Sequence, residues 1–305
     1  MQENIEELTA RYKIPTEKQF QEYKSKVILE ATLGKKPAKA GEEEILVIVG
    51  GQAGAGKSRL VAHAANELGE KNAVIVDFDV LRSLNPSYEE VTEKYSEITH
   101  LILYEDTERV KNELLEYLIE NGYHVIYEGA MRNTQGFINF AQKFRDSDYR
   151  IKLKIMAVPE LESYGSTLMR YSAALITDEV IPRWVEKYAH DESYVGVIRT
   201  VEEFQRKGLV DDLSVYVRSN EAYPMEIYST EGRQFESPTE AILSGRESKR
   251  KEAVDNFNSN YRIVRDILEE KQPQLLPMLE EWKAMYEAER EHFESISDKT
   301  KTIDK

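Results

Sequence analysis

The chain has 305 residues, 41% of them hydrophobic, enough for a sizeable core in one large domain with appendages. Its 41 Lys and Arg against 56 Asp and Glu leave a formal charge of −15, which disfavours broad attraction to nucleic-acid backbones or anionic membranes, so neither is expected as a partner. There are no cysteines, which excludes disulfides and thiolate metal sites. With no basic-then-apolar leader in "MQENIEELTARY" and no apolar run of spanning length, a cytoplasmic protein is expected.

In chain order, residues 1–42 predict a helical arm in two pieces broken at Pro15, with Thr16 as the N-cap of a helix through Phe20, Tyr23 and Val27. Residues 43–244 alternate short β-rich runs with helical patterns. Strands are predicted over 45–49, 73–78, 123–127, 151–158, 213–217 and 225–229, and helices over 57–68, 101–121 and 161–175, with helical stretches continuing to about 207. The 101–121 helix rests on Val110, Leu114 and Leu118 recurring every four residues, with Gly122 at its stop. Such alternation predicts an α/β domain, a P-loop kinase-like parallel sheet covered by helices. From Gly245 to 305 the composition turns to charge-dense helix former. Leu275, Leu279, Trp282, Tyr286 and Phe293 there are spaced for a helix docked on the main domain.

The chemistry starts at "ILVIVGGQAGAGKSRL". Gly51, Gln52, Ala53, Gly54, Ala55, Gly56, Lys57 and Ser58 fit GxxxxGK[ST], preceded by an apolar strand and followed by an amphipathic helix. Small residues let successive backbone N–H groups converge on phosphate oxygens. Lys57 adds a cation toward the β and γ phosphates, and Ser58 offers a hydroxyl to Mg²⁺. ATP or GTP is therefore the expected ligand, with Mg²⁺.

Further residues fit phosphoryl transfer. "VIVDFD" ends in Asp77 and Asp79, read as two acids on one side of an extended chain at the carboxyl end of a strand, where ligands bind in such sheets. An acid there can take the proton of an attacking hydroxyl. One of the two could instead hold a Mg²⁺-bound water or cap the helix that follows. Glu128 ends "HVIYEG", placed for Mg²⁺ water or a substrate hydroxyl. Arg170 and Arg183 are candidate cations for the charge that develops at the γ-phosphate.

Together "GGQAGAGKS", "VIVDFDVLRSLNP", "GYHVIYEG", "IMAVPELESYGSTLMRY", "IPRW" and "AHD" (189–191) make the chain resemble the zeta toxin family, P-loop small-molecule kinases of bacterial toxin–antitoxin systems. The resemblance spans about Ile45 to Arg218. It implies transfer of the ATP γ-phosphate to the 3′-hydroxyl of the amino sugar in UDP-N-acetylglucosamine, which blocks peptidoglycan synthesis, and an antitoxin partner. By position it gives Lys57 and Ser58 to phosphate and Mg²⁺, Asp79 to the general base, Arg170 and Arg183 to the transition state, and Glu128 to the substrate site. Two departures concern the acceptor. Asn112, beside Glu113, stands where a sugar-contacting glutamate is usual, and Ala130 where a threonine is usual; Arg132 just beyond resembles a basic substrate contact. An amide in place of a carboxylate changes which sugar groups can be held. A kinase of another small hydroxyl compound, such as a nucleoside or dinucleotide, is the alternative enzyme. A nucleotide-gated interaction protein is the alternative from another class.

Overall fold

Six strands set the architecture in the computed structural model, which describes residues 4–69, 73–177, 182–232 and 234–303. They are β1 (Ile45–Gly50), β2 (Ala73–Val76), β3 (His124–Gly129), β4 (Arg150–Met156), β5 (Asp212–Val217) and β6 (Met225–Ser229), in the sheet order β2-β3-β1-β4-β5-β6. All neighbours pair parallel except β5 and β6, which are antiparallel. The centre is the most apolar: Leu46 to Val49 of β1 are buried, as a strand covered on both faces requires. Gly50 pairs with Gly129 and with Ile155, and Val76 pairs with Tyr127. The carboxyl ends of β1, β2 and β3 therefore finish along one edge, and the functional residues gather there.

Helices cover both faces. The chain supplies α1 (Ile5–Tyr12), α2 (Glu17–Thr32), α3 (Lys57–Leu68), α4 (Phe78–Ser83), α5 (Tyr88–Tyr95), α6 (Thr99–Ile102), α7 (Tyr104–Glu120), α8 (Thr134–Arg145), α9 (Glu160–Leu175), α10 (Lys187–Lys207), α11 (Pro238–Lys271) and α12 (Leu276–Ile303). One core joins Leu46, Ile48, Val125 and Leu153 of the sheet to Leu114 and Leu118 of α7, Phe144 of α8 and Phe204 of α10. A second packs Leu60 and Ala64 of α3 on the opposite face. The helix α3 thus lies across the sheet with its N-terminus at the edge where the strands end.

The expected N-terminal helices form, and the Thr16 hydroxyl accepts the Gln19 N–H as an N-cap. Phe20, Tyr23 and Val27 of α2 are buried in the same core as the sheet. Toward the C-terminus, α11 and α12 form a helical hairpin against α9, with Leu279 and Trp282 packed among Leu161, Tyr164 and Phe257. That is the docked arrangement the spacing predicts. The helix begins at Pro238, capped by the Ser237 hydroxyl, so Gly245 lies inside it.

Elsewhere the structure departs from the sequence reading. The strand expected to run to residue 78 stops at Val76, because the Asp77 carboxylate accepts the Asp79 N–H at 2.8 Å and starts α4. Asp77 and Asp79 are therefore not two acids on one side of an extended chain. The expected 101–121 helix divides into α6 and α7. Helix α4 is the one that an acid of the Asp77 and Asp79 pair could cap, and Asp77 caps it, whereas α5 and α8 have no counterpart among the predicted elements. Among the described residues no helix is long and apolar enough to cross a membrane.

Candidate active site

The loop from Gly51 to Gly56 leaves β1 and turns into α3. Gly56, in the left-handed region at φ 85°, precedes the first helical residue, Lys57. The unpaired N–H groups of that first turn and the helix dipole favour an anion. Gly54, at φ 72°, rests on α9 so closely that a Cβ would overlap the Ser163 carbonyl oxygen. The loop is fixed from below: the Gln52 amide donates to the Val158 carbonyl at 2.7 Å and to Ser163 Oγ at 3.1 Å.

Lys57 is buried, with its ammonium 3.1 Å from the Gln52 carbonyl and 3.9 Å from Glu128. Burial pushes its pKa down from the ordinary lysine value, and the Glu128 charge acts against this. A buried ammonium with so remote a counter-charge is a site for an anion. Ser58, next in the helix, is exposed at the same edge.

Around this cation the sheet edge collects opposite charges. Glu128, at the end of β3, is held above the usual carboxylate range by burial. Lys57 and Arg170 pull it down, and Asp77 and Asp79 push it up. Arg170, late in α9, is lowered by burial and by the like charge of Arg183, against the pull of Asp79 and Glu128. Among the described residues no hydrogen bond or ion pair ties the Arg170 guanidinium. Asp79 sits in the first turn of α4 with both oxygens engaged: Arg82 Nη1 reaches Oδ1 at 2.7 Å, and Arg183 Nη1 pairs with Oδ2. Lys57, Asp77, Asp79, Glu128, Arg170 and Arg183 thus form one electrostatically coupled cluster.

Two expected substrate residues stand apart from it. Arg132 follows β3, but its guanidinium pairs with Glu192 and lies 5.3 Å from the Tyr188 ring centre. Asn112 is half-buried on α7, and no hydrogen bond engages its side chain among the described residues. Its neighbour Glu113 is taken by Lys24 of α2. Neither Asn112 nor Arg132 is linked to the charge cluster by a hydrogen bond or ion pair among the described residues.

The structure adds residues that the sequence reading did not single out. Arg218, at the end of β5, pairs with Glu162 at 2.7 Å and donates to the Gly54 carbonyl, clamping the outer side of the loop. Arg82 is legible only once α4 is known, because its partnership with Asp79 is a spacing of three along a helix. Phe78 and Tyr104 stack with ring centres 6.0 Å apart beside Asp79, flanked by Arg82 and Lys111.

The family model described as Zeta toxin matches residues 29–231. The chain belongs to the Zeta toxin family. It is similar to Toxin zeta of Streptococcus agalactiae, 29% identical over 227 residues, covering 74% of this chain and 76% of that protein. Toxin PezT of Streptococcus pneumoniae is 27% identical over 204 residues, 67% of this chain and 79% of that one. Among solved structures, one from the PezAT chromosomal toxin–antitoxin system of Streptococcus pneumoniae superposes with a TM-score of 0.72 at 22% identity, covering 84% of this chain and 99% of that chain. A structure of AvrRxo1-ORF1:-ORF2 with ATP gives 0.55 at 15% identity, covering 84% and 83%. The P-loop kinase-like sheet expected from the sequence is therefore the fold of this chain, and family membership makes it a toxin kinase relative.

Proposed function

We propose that this member of the Zeta toxin family binds ATP with Mg²⁺ and transfers the γ-phosphate to a hydroxyl of a UDP-activated amino sugar, the 3′-hydroxyl of UDP-N-acetylglucosamine in the first place. The observation that carries the reading is the convergence of a buried, poorly countered Lys57 with Asp79, Glu128, Arg170 and Arg183 at one strand edge. Gly51 to Lys57 hold the phosphates by backbone N–H groups and the ammonium, and the Ser58 hydroxyl is the protein ligand available to Mg²⁺. When bound, the ion neutralises charge on the phosphate oxygens. GTP fits the loop by the same chemistry, since nothing in a phosphate cradle reads the base.

Asp79 takes the proton of the acceptor hydroxyl as its oxygen forms a bond to the γ-phosphorus. The bond from that phosphorus to the β,γ-bridging oxygen breaks, and the nucleoside diphosphate leaves with the electron pair. Arg170 and Arg183 stand where negative charge spreads over the transferring group. Arg183 is paired with Asp79 in the resting chain, so its turn toward the phosphates frees a carboxylate oxygen for the proton.

A second reading, transfer to another hydroxyl compound such as a nucleoside or dinucleotide, is favoured by Asn112, Ala130 and the Phe78–Tyr104 stack, which offers a flat face to a heterocycle. Two solved structures of the same fold come from a toxin–antitoxin system and from a two-chain complex, which supports an antitoxin partner for this chain. Incubation with ATP, Mg²⁺ and a panel of UDP-sugars, followed by phosphorus NMR, tests the acceptor. A new sugar-phosphate resonance with UDP-N-acetylglucosamine is expected, and its absence with every UDP-sugar removes the sugar assignment.

A further inference from the structure

The "AHD" stretch at 189–191 lies in α10 and takes no part in the charge cluster, yet His190 is fully buried. Its Nδ1 is 3.2 Å from Asp191 Oδ1, and its Nε2 is 2.9 Å from Ser163 Oγ. A carboxylate only accepts, so Nδ1 carries the proton toward Asp191 and Nε2 is left to accept from Ser163. The Ser163 oxygen in turn accepts from the Gln52 amide at 3.1 Å. Donors thus run in one direction, from Gln52 to Ser163 to His190 to Asp191. A second arm leaves the same residue: the His190 carbonyl accepts from Ser193 Oγ at 2.7 Å, and that oxygen accepts the Ala53 N–H at 3.4 Å. Both arms end on the first half of the phosphate-binding loop.

Two other readings of the cluster fail on geometry. Glu160, His190 and Asp191 lie close enough to hold a metal ion, but the Lys187 ammonium reaches Glu160 at 3.1 Å and Asp191 at 2.6 and 2.7 Å, so a cation of the chain already occupies the place. A serine, histidine and aspartate in sequence also suggest a nucleophile. Ser163 is fully buried, however, and its one hydroxyl proton is shared between His190 Nε2 at 2.9 Å and the Pro159 carbonyl of its own helix turn at 3.0 Å. No substrate reaches it.

We infer that the His190 imidazole is a positioning group for the phosphate-binding loop, holding Gln52 through Ser163, while the main-chain carbonyl of the same residue supports Ala53 through Ser193, so that the loop is shaped for a triphosphate before one arrives. This rests on the reading that the loop binds ATP. Burial keeps the imidazole neutral, its pKa lowered to about 4, which preserves the bare Nε2 the relay needs.

The test is calorimetric binding of Mg·ATP to the full-length protein and to the variants His190→Leu, His190→Gln and Ser163→Ala. Leucine fills similar space without an acceptor and is expected to weaken ATP binding by about tenfold or more. Glutamine can present its amide oxygen near the place of Nε2 and is expected to restore affinity to within about threefold of the parent. Ser163→Ala, a smaller change that keeps the fold even if leucine does not, is expected to weaken binding in the same direction. Unchanged affinity in Ser163→Ala and His190→Leu, or equal losses with leucine and glutamine, overturns the inference and leaves ATP binding intact. A parent protein that takes up no Mg·ATP overturns the underlying reading instead.

Discussion

Asp79 is restrained by two guanidinium groups, and that restraint governs what its loss does. An amide keeps the size of the side chain but cannot accept the proton, so Asp79→Asn is expected to lower kcat by about two to four orders of magnitude. The ATP dissociation constant should stay within a few-fold, as single-turnover and binding assays together would show; normal turnover removes Asp79 from the mechanism. Gly54 makes a second prediction at this scale. Its φ of 72° and its contact with the Ser163 carbonyl leave no room for a methyl group, so Gly54→Ala should displace the loop and weaken ATP binding by at least about tenfold. Affinity equal to the parent's would show that the loop tolerates a shift away from α9.

Elements from outside the central sheet hold these residues in place. The Tyr23 hydroxyl of α2 donates to the Leu81 carbonyl at 2.7 Å, bracing the short helix that carries Asp79. Trp282 of α12 lies against Gly165, where a Cβ would overlap its indole, and donates to the Leu161 carbonyl at 3.1 Å, bracing the helix that carries Arg170. Trp282→Ala leaves a large cavity and removes the bond to the Leu161 carbonyl, and should cost about 3–5 kcal/mol in urea unfolding. A loss below about 1 kcal/mol would mean that the hairpin is not integral to the fold. The sequence made Trp282 legible as a helical face but not its partner, because nothing in local spacing reports that Gly165 offers the flat surface. Strand β1 and helix α3 were plain, since a fully apolar run and a glycine-rich turn admit few alternatives. Helix α4 was legible only as an alternative: six residues give too little periodicity, the expected strand runs through Asp77 to residue 78, and the capping role open to one of the two acids is settled only by the Asp77 bond to the Asp79 N–H. That one bond turned two supposed strand acids into a cap and a helical residue. Lys57, Glu128 and the arginines were legible as residue types at strand and helix ends, whereas the pairing of Asp79 with Arg82 and Arg183 depends on tertiary placement.

Across the molecule, buried charge and buried imidazole make stability depend on pH. His190 titrates at about 4 in the folded chain against an ordinary value near 6.5. Between those values the unfolded chain binds a proton that the folded chain refuses, so stability rises with pH through this window and falls as pH drops from 6.5 to 4. The full effect is on the order of 3 kcal/mol. Urea unfolding across that range should show the decline in the parent and a flatter profile in His190→Gln, which has no group to titrate there; parallel profiles would mean that His190 does not stay neutral. The net charge of −15 makes the anion site a local construction, set by main-chain N–H groups and Lys57 against the field of the whole surface. The most direct test of that claim is calorimetric titration of the parent protein and Lys57→Ala with ATP in the presence of Mg²⁺. Uptake of one ATP per chain by the parent, and a loss of at least about tenfold in affinity in the variant, is the predicted result. No uptake by the parent, or equal affinity in both, would contradict the account.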